Sequence, residues 1–124
     1  MNPAITRIEA VIDSPSFSAD IMPVLRQTCG SSGGCHGGLA PQKGLNLEVD
    51  SLAYASMVNV ASVYRPSMMR VRPGKPDSSF LYRVLNDTAS VRFNYYRMPL
   101  TEYPLPRETR VTIGNWILKG ALRN

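Results

Sequence analysis

A chain of 124 residues with ten prolines, nine glycines and 44% hydrophobic residues holds apolar material for one modest core and too much of it for a disordered tail. Its net charge of +5 comes without a helix-turn-helix, finger or RNP-like pattern, which argues against nucleic acid. No apolar run approaches the roughly 18 residues that cross a bilayer, and "MNPAITRIEAVI" lacks the basic and apolar regions of a signal peptide, so none is read in this chain.

Ile5, Ile8 and Ile12 are too few to set a period, so residues 1–15 read as an N-terminal arm and 16–124 as the domain. Ser16 or Ser18 is the expected cap of a first helix reaching about Arg26, with Phe17, Ile21, Val24 and Leu25 on one face. Pro23 inside it demands a kink or a late start. A Gly/Ser-rich loop follows, then "APQKGLNLEVDS", a loop with a short extended piece that sends Leu45 and Leu47 to one side. "DSLAYASMVN" reads as a short helix capped by Asp50 or Ser51. Pro66, Pro73 and Pro76 break the next stretch, and Pro73-Gly74 marks a turn. In "PDSSFLYRVLND", Asp77 or Ser78 is the expected cap and Phe80, Leu81, Val84 and Leu85 the buried stripe. "NYYRMPLTEYPLP" reads as a loop. The last helix is expected to open at Pro106 and to bury Thr109, Ile113, Trp116, Ile117 and Gly120. Three or four short helices joined by loops this long are uncommon unless something organises them; a large apolar cofactor would.

The stretch "TCGSSGGCHGG" contains both cysteines, Cys29 and Cys35, and the only histidine, His36. Covalent haem attachment needs two thiols for the vinyl groups and an imidazole for the iron, usually spaced C-x-x-C-H. Cys35-His36 is intact, and Cys29 stands five small residues earlier, giving C-x5-C-H. Glycine and serine let that loop bulge without steric cost. A Cys29–Cys35 disulfide with His36 as an ordinary loop residue is the competing reading. Zinc is the weaker choice, since two cysteines and one histidine make three ligands. A Cys-His nucleophile is weak too, because neighbours in sequence rarely point at each other.

If haem is bound with six ligands, the second axial one comes from elsewhere, and a methionine thioether is the common choice. Met98, in "YRMPL", lies in a loop and is followed by Pro99, which stiffens its strap. Met68 and Met69 are the rivals; Met22 and Met57 read as core.

"FSADIMPVLRQTC", "CHGG", "GLNL", "RVRPGKPDSSFLYRVL", "RMPL" and "IGNWILKGA" fall in the order found in small class I c-type cytochromes. Over about residues 17–121 the chain resembles their short bacterial, planctomycete-type domains. The resemblance implies an all-α fold, three to five short helices and long loops wrapped around one haem c. It also implies His36 as proximal ligand, Met98 as distal ligand, and Cys29 and Cys35 as thioether donors. The five intervening residues replace the two usual in the family. Leu45 and Leu47 are expected to wall the haem edge. Trp116 is expected in the core, with its N–H in reach of a propionate, and Arg65, Arg70, Arg72 and Arg97 are candidate propionate partners.

The expected function is single-electron transfer between protein redox partners, with no turnover at the iron, so not an enzyme. Two alternatives stand beside it: a haem-free interaction module closed by the disulfide, and a five-coordinate haem protein binding a gas or peroxide. Covalent haem attachment in bacteria takes place outside the cytoplasm, so a periplasmic or cell-surface location is expected, with only indirect contact with the membrane. Seven basic residues between Arg65 and Arg97 stand against Asp77 and Asp87, which accounts for the whole +5. That stretch is either a solvated face or a docking surface for an acidic partner or a larger electron-transfer assembly.

Overall fold

A computed structural model describes residues 8–30, 36, 44–63, 65–86, 89–90, 95–96, 98 and 105–124. Cys35 and Arg97, both expected at the site, lie outside the described residues. Regular structure is predominantly helical: α1 (Met22–Thr28), α2 (Asp50–Met57), α3 (Phe80–Asn86) and α4 (Arg107–Leu118). Among the described residues no helix is long and apolar enough to cross a membrane.

The first expected helix is built in two parts. Phe17–Ile21 forms a π-helical turn, and Pro23 then sits in the first turn of α1, where its missing N–H leaves no hydrogen bond unmade. Ser16 caps the π turn, accepting from the Ala19 N–H at 3.3 Å. Residues 8–15 run against α4: the Ile12 N–H donates to Thr112 Oγ1 at 3.0 Å, and Asn115 Nδ2 donates to the Ile12 carbonyl at 3.0 Å.

Two caps differ from expectation. Val49 precedes α2 without a capping side chain; Asn46 Oδ1 accepts instead from the Glu48 and Val49 N–H groups at 2.9 and 3.1 Å. Asp50 is engaged by Arg26 of α1 in an ion pair. Pro76–Ser78 forms a 3-10 turn, so Asp77 and Ser78 lie before α3 rather than capping it. Ser79 stitches that turn, accepting from the Arg72 N–H at 2.8 Å and donating to the Lys75 carbonyl at 2.9 Å. One short ladder interrupts the expected loop: β1 (Ala89–Ser90) pairs antiparallel with β2 (Tyr95–Tyr96).

α4 is the hub. It packs on α3, on the 3-10 turn and on the π turn. Its buried side is Thr109, Thr112, Ile113, Gly114, Trp116 and Ile117. Gly120, expected on that face, ends the helix instead. At φ +109° it occupies the left-handed position of a Schellman closure. Its N–H donates to the Ile117 carbonyl at 3.0 Å and that of Ala121 to the Trp116 carbonyl at 2.8 Å. Phe17 stacks on Trp116 with centroids 5.2 Å apart and meets the Tyr54 ring edge-on at 5.3 Å. Met22, Leu25, Met57, Val71, Leu85 and Ile117 fill the same core.

The Asn124 carbonyl accepts from Ser16 Oγ at 2.8 Å and from Ser18 Oγ at 2.7 Å. Asn124 Oδ1 accepts from the Phe17 N–H at 2.9 Å.

Candidate haem-binding site

α1 ends at the cysteine loop because its last carbonyls find partners there. The Cys29 N–H donates to the Leu25 carbonyl at 2.8 Å, and that of Gly30 to the same carbonyl at 3.0 Å. Thr28 Oγ1 donates to the Val24 carbonyl at 2.7 Å. It lies 3.3 Å from Cys29 Sγ, so with its one proton spent on Val24 the hydroxyl accepts from the thiol.

The first turn beyond α1 lies directly on the strap at residues 45–48. A Cβ on Gly30 would sit 2.3 Å from the Leu47 carbonyl oxygen and 2.8 Å from the Glu48 nitrogen. Both are backbone atoms, so no side chain fits. Arg26 fastens the same strap from α1: its Nε donates to the Glu48 carbonyl at 3.0 Å, and it pairs with Asp50 just beyond.

His36 is tied into this junction by three bonds. Its N–H donates to the Cys29 carbonyl at 2.9 Å, and its carbonyl accepts from the Leu47 N–H at 2.6 Å. Its ring Nδ1 lies 3.2 Å from the Leu45 carbonyl. A carbonyl only accepts, so Nδ1 carries a proton, and in the neutral ring the lone pair resides on Nε2. That is the tautomer a metal-binding imidazole needs, with its second nitrogen held by a backbone carbonyl. Cys29, His36, Leu45 and Leu47 are therefore gathered into one hydrogen-bonded knot, although up to 18 positions separate them in sequence.

Leu47 is buried, and half-buried Cys29, Leu45 and Met98 border the same apolar core. Met98 is anchored independently, its N–H donating to the Val84 carbonyl of α3 at 2.7 Å. Met68 also borders the core. Trp116 is 1% exposed, and its indole N–H donates to the Leu122 carbonyl at 2.9 Å. Of the candidate propionate partners, Arg70 is buried, its Nη1 donating to the Ser56 carbonyl at 2.8 Å. Burial pulls its pKa below the ordinary guanidinium value, yet an arginine stays charged in a folded protein. Arg65 and Arg72 line a separate cleft.

Gly30 and Arg26 are the contributors that sequence reasoning missed. Gly30 carries no positive φ and reads in the sequence only as one of five small loop residues after Cys29, and its need is visible only once residues 47 and 48 are beside it. Among the described residues no group of three or more His, Cys, Asp or Glu gathers as a metal site. No protein-family model, curated protein or solved structure matches the chain.

Proposed function

We propose that this chain is a monohaem c-type cytochrome of class I character that passes single electrons between protein partners outside the cytoplasm. The observation that carries the reading is His36 Nδ1 at 3.2 Å from the Leu45 carbonyl. Haem would be held by His36 and Met98 as axial ligands and by Cys29 and Cys35 as thioether donors. Bound there, it supplies a one-electron iron couple whose potential a methionine ligand raises.

The chain's own residues supply orientation and an apolar wall. The Leu45 carbonyl holds the imidazole from turning and fixes its proton on Nδ1. Leu47 is buried in the apolar core that Leu45 borders, and the Met98 strap is pinned to α3 through the Val84 carbonyl. Held by both His36 and Met98, the iron would keep no position for a substrate, so the protein is read as a carrier and not as an enzyme.

The test is exported expression in a bacterium that attaches c-type haem, followed by absorption spectra and a haem-stained denaturing gel. The expected result is a low-spin reduced spectrum and stain that survives denaturation. Met98→Ala should abolish the sulfur-to-iron band at the red end of the ferric spectrum, and Met68→Ala and Met69→Ala should keep it. A protein without a Soret band, carrying a Cys29–Cys35 disulfide by mass, would instead be an interaction module. A high-spin spectrum would mark a gas- or peroxide-binding protein.

A further inference from the structure

A cleft of about 510 Å³ opens between the loop after α2 and the start of α3, lined by Arg65, Arg72 and Arg83 with Met68, Met69 and Phe80. It shares none of the residues of the His36 knot. Its size is that of ligand clefts, about 300–1,000 Å³. Hydrogen bonds across irregular backbone build its walls. The Phe80 N–H donates to the Met69 carbonyl at 2.9 Å, that of Met68 to the Arg65 carbonyl at 2.9 Å, and that of Ser62 to the Met68 carbonyl at 2.8 Å. The cleft is thus formed before any ligand arrives, which lowers the ordering cost of binding.

Its chemistry is two-sided. Among the described residues, three arginines and one acidic residue, Asp77, line it. Beside them lies an adaptable apolar surface, with Met69 39% exposed. Among the described residues every cation lining the cleft is an arginine, and arginine, methionine and aromatic residues are the types enriched where proteins meet, whereas lysine is depleted there. A solvated basic face has no use for exposed methionine. A free inorganic anion has no apolar part to cover it.

We propose that this cleft docks an acidic segment of a protein partner. Its carboxylates meet Arg65, Arg72 and Arg83 in charge-assisted bonds, and an apolar side chain lies over Met68 and Met69. This rests on the reading that the chain meets protein partners through its basic stretch, and it makes no use of haem.

The test is a titration of the full chain with a fluorescein-labelled peptide of alternating glutamate and leucine, read by anisotropy. Binding should saturate at low salt and weaken about tenfold or more on reaching about 0.15 M salt. Arg72→Glu with Arg83→Glu should weaken it about tenfold or more, and Met69→Asp about fivefold. Lys119→Glu, an exposed position outside the cleft, should leave it unchanged, with circular dichroism confirming that each variant is folded. Absence of saturable binding, or equal binding by the charge-reversed variant, overturns the proposal. So does a glutamate–serine peptide or citrate binding as tightly as the leucine peptide while Met69→Asp has no effect, which would make the cleft a small-anion site. None of these outcomes touches the haem reading, which absorption decides.

Discussion

Trp116 and His36 are each held in one orientation, and the means differ. Around Trp116 the support is many weak contacts: a stacked Phe17 at 5.2 Å, Tyr54 behind it and a buried helix face on either side, with one hydrogen bond to the Leu122 carbonyl. Around His36 the support is a few directional bonds to Cys29, Leu45 and Leu47, made possible by one glycine that admits the Leu47 backbone. Dispersion is shared over dozens of atom pairs, so loss of any one is small. A hydrogen-bonded junction has no such redundancy. It fixes a ring nitrogen more sharply, and a single added methyl group can undo it. The two regions therefore separate stability from the placement of one ring: damage to the first should melt the molecule, and damage to the second should misplace His36 in a molecule that still folds.

The sharpest break is Trp116→Ala. Removing a fully buried indole beside Phe17 should cost about 3–5 kcal/mol, read as a lower midpoint in denaturant. A loss below about 1 kcal/mol would mean that α4 is not the hub of the core.

Gly30→Ala probes the other region. The new methyl meets backbone and not a movable side chain, so the strap must shift, at roughly 1–3 kcal/mol. The decisive readout is the His36 ring: ¹⁵N shifts should report Nδ1 protonation in the wild type and a loss of that single tautomer in the variant. An unchanged ring in a fully stable variant would break the comparison.

The smallest effect is expected at the Arg26–Asp50 pair. Its side chains are 43% and 39% exposed, so solvent screens the charges. A double-mutant cycle with Arg26→Ala and Asp50→Ala should return a coupling of about 0.2–1 kcal/mol. A coupling several times larger would show that the ion pair, and not Gly30, seats the strap.

The helical core was legible because its signal is local and repeated. Phe17, Ile21, Val24 and Leu25 recur at helical spacing, as do Phe80, Leu81, Val84 and Leu85, and all are buried. The caps were less legible, for a physical reason. A carboxylate that can cap a helix can also bind a distant guanidinium, and Asp50 does the latter with a residue 24 positions away. Tyr95–Tyr96 falls in an expected loop and Ala89–Ser90 carries no sequence signal, because two residues per strand are too few to show alternation. Within the site, the sequence marked Cys29, His36, Leu45 and Leu47 as candidates by residue type. It carried no sign of the bonds among them, which join backbone groups that every residue possesses.

The hydrogen bonds that Asn124 accepts from residues 16, 17 and 18 close the segment after α4 onto the start of the first helical turn. A carbonyl and an amide side chain persist if the polypeptide runs on past Asn124, so this clasp needs no free end. The loop it closes spans more than 100 residues, and the fold has already met the entropy of that closure. Residues 8–15 continue past this point along α4, so cutting the chain at residue 16 would cost the core Ile8 and the contacts of Ile12 while the clasp itself stayed closed.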